Sequence, residues 1–262
     1  EGANAWTAVA VGREHACGIT DAGGVECWGI DEYGQSTVPA LPSGATAWTA
    51  VSLGHTHSCG LTDTGVIDCW GSDWGGASTV PALPEGATAW TDVSAGTSFT
   101  CAVTDNGGIQ CWGSGTTNTG SYPELGQSIV PALPSGATAW TAVDTGYSHA
   151  CGLTDTGVID CWGDNEYGKA TVPALPEGAS AWTAVSVSGD AGHTCGLTDT
   201  GVIDCWGLNN GGQSSVPERE SGTEWTAVSA GGWHSCGLTD TGVIQCWGDN
   251  GIGQSTVPAE LQ

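Results

Sequence analysis

His57-Ser58-Cys59-Gly60-Leu61-Thr62-Asp63-Thr64-Gly65-Val66-Ile67-Asp68-Cys69-Trp70-Gly71 reads as two strands, His57 to Thr62 and Val66 to Gly71, joined by a three-residue turn. A loop of this length usually combines a type I turn with a residue at positive φ, and Gly65 tolerates that conformation. Asp63 is expected to cap the turn with its side chain. The loop fixes the register: Thr62 faces Val66, Leu61 faces Ile67, and Cys59 lies opposite Cys69. Opposed strand residues have Cα atoms roughly 4.5–5.5 Å apart, a span a disulfide can bridge. Alternation puts Cys59, Leu61, Ile67 and Cys69 on one face, and Gly60 and Trp70 on the other, where the missing side chain leaves room for the indole. Trp48 to Leu53, rich in β-formers, supplies a strand in front of the pair.

The same pattern recurs six times. Cysteines pair at 17/27, 59/69, 101/111, 151/161, 195/205 and 236/246, always ten apart, and successive first cysteines are 42, 42, 50, 44 and 41 residues apart. Each second cysteine opens Cys-Trp-Gly, followed by a Gly-rich loop and a Val-Pro dipeptide. Periods of this size with strand-type sequence indicate a radial array. The expected fold is all-β: one domain over 1–262, a six-bladed β-propeller of about 42-residue repeats with mainly three-stranded blades and one disulfide inside each hairpin. The blades run approximately 1–42, 43–84, 85–134, 135–176, 177–219 and 220–262. Glu1-Gly2-Ala3-Asn4-Ala5-Trp6 matches the linker Glu85 to Trp90, and Val257-Pro258-Ala259 is the matching lead-in, as a closed ring of six requires.

A zinc site is the rival reading for the cysteines, with His57 on their face. The third copy has Phe99 at that position and no fourth ligand repeats, so disulfides are favoured: Cys17–Cys27, Cys59–Cys69, Cys101–Cys111, Cys151–Cys161, Cys195–Cys205 and Cys236–Cys246. Such bonds do not persist in a reducing cytosol, so a secreted or cell-surface location is expected. His15, His57, His149, His193 and His234 each stand two residues before a cysteine, and a histidine repeated in five blades is expected to be scaffold bonding the backbone.

The chain holds 28 Asp and Glu against three Lys and Arg, for a net charge of −25. Nucleic acid is therefore a poor partner, since phosphates need Lys and Arg to displace their counterions. No stretch is apolar enough to span a bilayer. The scattered acids are also what a soluble protein in salty surroundings would carry.

The run Gly54 to Gly71, with loops such as Gly34-Gln35-Ser36, resembles the regulator-of-chromosome-condensation repeat over essentially the whole chain. The compact period and the Thr-Val-Pro-Ala linker are most similar to the short-repeat branch that includes a secreted propeller-type β-lactamase inhibitor. That resemblance implies three-stranded blades, secretion and protein binding; the chain departs from it in having six units rather than seven and paired cysteines in each hairpin. The nucleotide-exchange and nucleosome roles known in the family do not fit the disulfides and acidity. The tryptophan photochemistry of the related plant photoreceptor relies on arginines nearly absent here.

If the first strand of each blade runs toward a face called top, the loop joining the first and second strands and the loop after Cys-Trp-Gly both lie on top, and the Asp-x-Gly turn on the bottom. Twelve tryptophans belong to the repeated scaffold; the remaining aromatics, Tyr33, Trp74, Phe99, Tyr122, Tyr147, Tyr167 and Trp233, fall in or beside top loops. So do the insertions within 114–127 and near 188–192, and the acids Asp31, Glu32, Asp73, Asp164, Glu166, Asp190 and Asp249. Tyr and Trp are enriched at interface hot spots, and an acidic surround suits a basic partner. The alternative is that these aromatics fold back on their own loops.

The expected function is an extracellular, non-enzymatic recognition module that binds a protein, with a basic one fitting best, or a glycan. Alternatives are a structural subunit of an extracellular filament or surface layer, formed by self-assembly, and a secreted enzyme inhibitor. No Ser-His-Asp order, P-loop, HExxH or dinucleotide glycine motif occurs; a hydrolase site assembled across blades stays open on fold analogy. No cofactor is expected. Calcium is left open at strings such as Asp164-Asn165-Glu166, which lack EF-hand spacing.

Overall fold

A computed structural model describes residues 5–190, 192–219 and 221–258. The terminal match invoked for ring closure, at 1–4 and 259, lies outside them. The chain divides into two compact units, Glu1–Pro131 and Ala132–Gln262.

The first unit holds three three-stranded antiparallel sheets in sequential order. They are β1 (Trp6–Val11), β2 (His15–Thr20) and β3 (Val25–Gly29); β4 (Trp48–Leu53), β5 (His57–Thr62) and β6 (Ile67–Gly71); and β7 (Trp90–Ala95), β8 (Phe99–Thr104) and β9 (Ile109–Gly113). The insertion after β9 folds into a two-stranded hairpin, β10 (Asn118–Ser121) and β11 (Glu124–Leu125). The second unit repeats the sheet three times: β12 (Trp140–Thr145), β13 (His149–Thr154), β14 (Ile159–Gly163); β15 (Trp182–Val187), β16 (His193–Thr198), β17 (Ile203–Gly207); β18 (Trp225–Ala230), β19 (His234–Thr239), β20 (Ile244–Gly248). Among the described residues no helix is long and apolar enough to cross a membrane.

The hairpin register matches the sequence in all six repeats. Cys59 pairs with Cys69 and Leu61 with Ile67, and the equivalent pairs recur at every other hairpin. All six disulfides are present, with Cα atoms 4.0–4.1 Å apart, somewhat closer than expected. The turn is capped differently from the reading above. Thr62 Oγ1 accepts the Val66 N–H at 3.0 Å, while the Asp63 carboxylate reaches the linker, accepting the Thr46 N–H at 3.0 Å and its hydroxyl at 2.5 Å. Asp63 thus ties the turn to the entry of the first strand, and these bonds, the hydroxyl foremost, hold its pKa below the ordinary carboxylate range. Asp155 and Thr138 do the same in the second unit.

The space at Gly60 also has another occupant. A Cβ there would lie 2.5 Å from Trp48 Cε3, so the glycine admits the ring of the first-strand tryptophan. Trp70 packs beside that ring, the centroids 5.9 Å apart. The paired indoles form one face of each sheet, and inside each unit this face packs on the cysteine face of the preceding repeat. Trp90, Val93, Ala95 and Trp112 cover Cys59, Leu61 and Ile67; Trp182, Val187 and Trp206 cover Cys151, Leu153 and Ile159; Trp225 and Trp247 cover Cys195, Leu197 and Ile203. The middle strand is sandwiched, which is why β5, β8, β13 and β16 are buried throughout.

The histidines join these layers, bonding hydroxyls of the next repeat rather than backbone. His15 Nε2 lies 2.9 Å from Ser58 Oγ, His57 Nε2 2.9 Å from Thr100 Oγ1, His149 Nε2 2.9 Å from Thr194 Oγ1, and His193 Nε2 2.8 Å from Ser235 Oγ. Each hydroxyl in turn donates to a loop carbonyl, as Ser58 Oγ does to Gln35 O at 2.8 Å.

Candidate functional site

The loops after Cys-Trp-Gly share one internal design. An acid or amide at the loop start accepts the backbone N–H five residues on: Asp31 from Ser36 (2.7 Å), Asp73 from Ser78 (3.0 Å), Asn165 from Ala170 (2.9 Å) and Asn209 from Ser214 (2.9 Å). A buried glutamine props the loop from below. Gln35 Oε1 accepts the Tyr33 N–H at 2.9 Å, and Gln127 and Gln213 act equivalently on Leu125 and Gly211. The loop tip is thereby held rigid, with its side chains turned away from the sheet.

In the first unit this design presents Tyr33, Trp74 and Tyr122, all exposed. Trp74 and Tyr122 come from successive repeats, and their rings stack with centroids 6.1 Å apart and planes 19° apart. The β10–β11 insertion carries Tyr122 to that position. In the second unit Tyr167 and Trp233 are exposed and Tyr147 is half-buried. Phe99 corrects the aromatic set: it is wholly buried in β8, in the place histidine takes elsewhere, and it faces no solvent.

The acids sort differently from one another. Asp31 and Asp73 are occupied inside their loops. Thr37 Oγ1 donates to Asp31 Oδ2 at 2.7 Å and Thr79 Oγ1 to Asp73 Oδ2 at 2.8 Å. The Thr37 hydroxyl foremost holds the Asp31 pKa down; at Asp73 desolvation pulls upward, but the Thr79 and Ser78 bonds together outweigh it. Asp164 pairs with the buried Lys169 at 2.6 Å and accepts from Ser148 at 3.2 Å. Desolvation would raise its pKa, but Lys169 and the other donors carry it below the ordinary value. Glu32, Glu166 and Asp190 are exposed beside the aromatics. At the calcium-type string, Asp164 Oδ2 is taken by Lys169 and Asn165 Oδ1 by the Ala170 N–H. Among the described residues no group of three or more His, Cys, Asp and Glu is placed to hold a metal ion.

Lys169 escaped the sequence reading, although its position announces it: it stands where four of the other five loops have glutamine and the second has Ala77. It is buried, and its Nζ also donates to Ser148 Oγ at 3.2 Å. Lys169→Ala leaves Asp164 half-buried without its cation. A fully buried pair would cost roughly 3–5 kcal/mol to break; with Asp164 20% exposed we expect about 2 kcal/mol, read as a lowered denaturation midpoint. Lys169→Gln, which restores the strut of the other loops, should recover most of it.

At the opposite, Asp-x-Gly end of the second unit lies a groove of about 390 Å³ lined by Val202, Ile203, Val216, Pro217, Glu218, Arg219 and Trp225. Its walls are mostly repeated scaffold. The departures from the repeat are concentrated instead in the loops after Cys-Trp-Gly and in those joining the first and second strands.

Tyr167 sits in one of these loops with φ of 64°, at a place where the second repeat has Gly75 at φ of 70° and the first has Tyr33. Among the described residues it is the non-glycine residue with positive φ. A non-glycine residue there costs of order 1 kcal/mol, and such strain concentrates at functional sites.

Known proteins resemble this chain in both sequence and fold. The repeat described as the regulator of chromosome condensation (RCC1) repeat matches residues 6–35, 90–118, 140–169, 182–213 and 225–254. No curated protein sequence matches the chain. Among solved structures, the entire ectodomain of the receptor kinase CR4 from Physcomitrella patens is 24% identical with a TM-score of 0.71, covering 98% of this chain and 67% of its own. The CRINKLY WD40 ectodomain of the Arabidopsis thaliana receptor kinase ACR4 is 24% identical with a TM-score of 0.69, covering 100% of this chain and 84% of its own. Prp20p from Saccharomyces cerevisiae, described with its binding to Gsp1p and histones, is 17% identical with a TM-score of 0.73, covering 93% and 72%. The structural likenesses are of fold. The sequence match covers more than half of the residues, and the second repeat, outside the matched segments, keeps the same cysteine pair and Cys-Trp-Gly: the chain belongs to the regulator of chromosome condensation (RCC1) repeat family.

Proposed function

We propose that the chain is an extracellular, non-enzymatic recognition module that captures a protein through the aromatic loops after Cys-Trp-Gly and between the first and second strands of each sheet. The observation that carries this is the set of exposed aromatics on rigid loops: Tyr33 and the stacked Trp74 and Tyr122 in one unit, Tyr167 and Trp233 in the other, with Tyr147 half-buried beside them. Large aromatics left wet on otherwise copied scaffolds are costly unless they meet a partner. Six formed disulfides support an oxidising compartment, and plant receptor ectodomains share the fold. Glu32, Glu166 and Asp190 supply exposed negative charge, Glu166 beside the Tyr167 hydroxyl that it hydrogen-bonds, which favours a partner with a basic patch.

Replacing Tyr33, Trp74, Tyr122, Tyr167 and Trp233 together by alanine should weaken partner capture from the native extracellular milieu by more than a hundredfold, as a few hot-spot side chains of about 2 kcal/mol each imply. Thermal melting should hardly change. Tyr167→Gly is the sharper variant: it relieves the positive φ, so stability should hold or rise while affinity falls. Undiminished capture by the fivefold variant would refute the assignment.

A further inference from the structure

Four of the linkers that lead into a first strand read Val-Pro-Ala-Leu-Pro, at 38–42, 80–84, 130–134 and 172–176. The fifth reads Val216-Pro217-Glu218-Arg219 and reaches its tryptophan one residue sooner. The second repeat shows what the leucine does. Leu83 lies with Val80 against the core of Cys59, Leu61, Ile67 and Trp90. In the fifth linker Val216 keeps the place of Val80, against Cys195, Leu197, Ile203 and Trp225, but the leucine is gone. Arg219 stands in its position, three residues after Val216 as Leu83 is three after Val80. Its guanidinium reaches the Asp-x-Gly turn instead, donating from Nη1 to Gly201 O.

The groove of about 390 Å³ in the second unit opens where the leucine is missing. Val202, Ile203, Val216, Pro217 and Trp225 form its apolar wall, and Glu218 and Arg219 are the lining residues that depart from the repeat. Ile203 and Trp225 are buried, Arg219 is half-buried and Glu218 is exposed. Arg219 is also the cation with charge to spare. Lys169 is paired with Asp164, and Arg13 Nη1 lies 3.0 Å from His55 Nε2, whereas among the described residues no carboxylate pairs with Arg219. A guanidinium presents several donors in a planar fork that matches a carboxylate, and the turn takes one of them.

We propose that this groove binds the C-terminus of a peptide that ends in a branched aliphatic residue, leucine above all. The side chain takes the place that Leu83 holds in the second repeat, and the terminal carboxylate meets the guanidinium of Arg219. Burial of the aliphatic group supplies the attraction, and the charge-assisted pair selects a chain end over an internal leucine. The exposed Glu218 and the net charge of −25 favour a neutral or basic segment ahead of that end. The site lies at the other end of the sheets from the aromatic loops, and its occupancy does not depend on theirs.

Fluorescence anisotropy of an N-terminally labelled peptide, Gly-Lys-Gly-Leu with a free carboxylate, tests this on the oxidised full chain. The C-terminal amide of the same peptide should bind about tenfold more weakly, the loss of one bond to a charged group. Glycine in place of the final leucine should also cost about tenfold. Arg219→Gln keeps a donor for Gly201 O and removes the charge, so acid and amide should bind it alike. Arg219→Leu restores the linker of the other repeats: it should fill the groove and abolish binding of both peptides, while the thermal midpoint holds or rises. Circular dichroism establishes that each variant is folded. Equal binding of acid and amide by the wild type would overturn the proposal, as would full binding by folded Arg219→Leu. So would anisotropy that the wild type leaves unchanged, whether the groove stays solvated or is filled by the chain itself or by a second copy.

Discussion

Reduction of the oxidised protein should unfold it at ambient temperature. Each disulfide closes a short hairpin loop and contributes roughly 2–3 kcal/mol, chiefly by restricting the unfolded chain. Six together match or exceed the roughly 5–15 kcal/mol by which ordinary domains are stable. The bonds should not break together. Cys17, Cys59, Cys101, Cys151 and Cys195 are wholly buried under the sheet faces, whereas Cys236, their counterpart in the sixth repeat, lies partly open. Stepwise reductant with alkylation and mass mapping should find Cys236–Cys246 opening first with little loss of structure, and cooperative unfolding as the inner five follow. A reduced chain that melts within a few degrees of the oxidised one would contradict this.

Acid should be the second large perturbation, and it should act well above the carboxylate range. Burial foremost depresses the pKa of His57 to about 4, His149 to about 3 and His193 to about 4. In the unfolded chain these imidazoles titrate near 6.5. Below that value the unfolded state binds protons that the folded state refuses. The stability they lend is thus complete above about pH 6.5 and is lost as pH falls toward about 4, at about 1.4 kcal/mol per pH unit for each. Asp68, Asp160 and Asp204 have pKa values raised by desolvation and work the other way, gaining stability as they protonate. Asp63 and its counterparts, with lowered values, begin to lose stability as pH falls into the ordinary carboxylate range and go on losing it below that range. The midpoint of thermal unfolding should therefore fall steeply between pH 6.5 and 4.5. His57→Phe with Thr100→Ala, which removes one histidine–hydroxyl bond and borrows the Phe99 solution of the third repeat, should flatten the slope by about a third of that from the three histidines. A midpoint unchanged from pH 7 to pH 5 would show that the buried imidazoles accept protons freely.

How far the sequence exposes this molecule depends on what each residue's copies do. The cysteine register was legible because Asp63-Thr64-Gly65 leaves one hairpin geometry, and that geometry alone decides which side chains oppose. The partner of Asp63 was not, because Thr46 is local only after the first strand has folded back. Gly60 was correctly read as making room for an indole, but two tryptophans compete for the space, and only packing selects Trp48. Among the loop residues, departure from the repeat picked out side chains that the structure leaves exposed at Tyr33, Trp74, Tyr167 and Trp233. It misplaced Phe99, which departs from the repeat for an internal reason, although its place two residues before Cys101 is the histidine position and carried the signal. Asp31 and Asp73 show the complementary limit. Their acidity suggested a partner, yet the Ser and Thr five and six residues on are the donors that consume it.

The central functional claim, that a partner docks on the loops after Cys-Trp-Gly, is tested most directly by site-specific photocrosslinking. A benzophenone side chain placed in turn at Trp74, Tyr122 and Tyr167, and as controls at Thr64 and Thr156 in the Asp-x-Gly turns, would be activated in the native extracellular milieu. The account predicts the same covalently captured protein from the loop positions and none from the turns. Capture from Thr64 or Thr156 with silence at Trp74, Tyr122 and Tyr167 would place the working surface on the other end of the sheets.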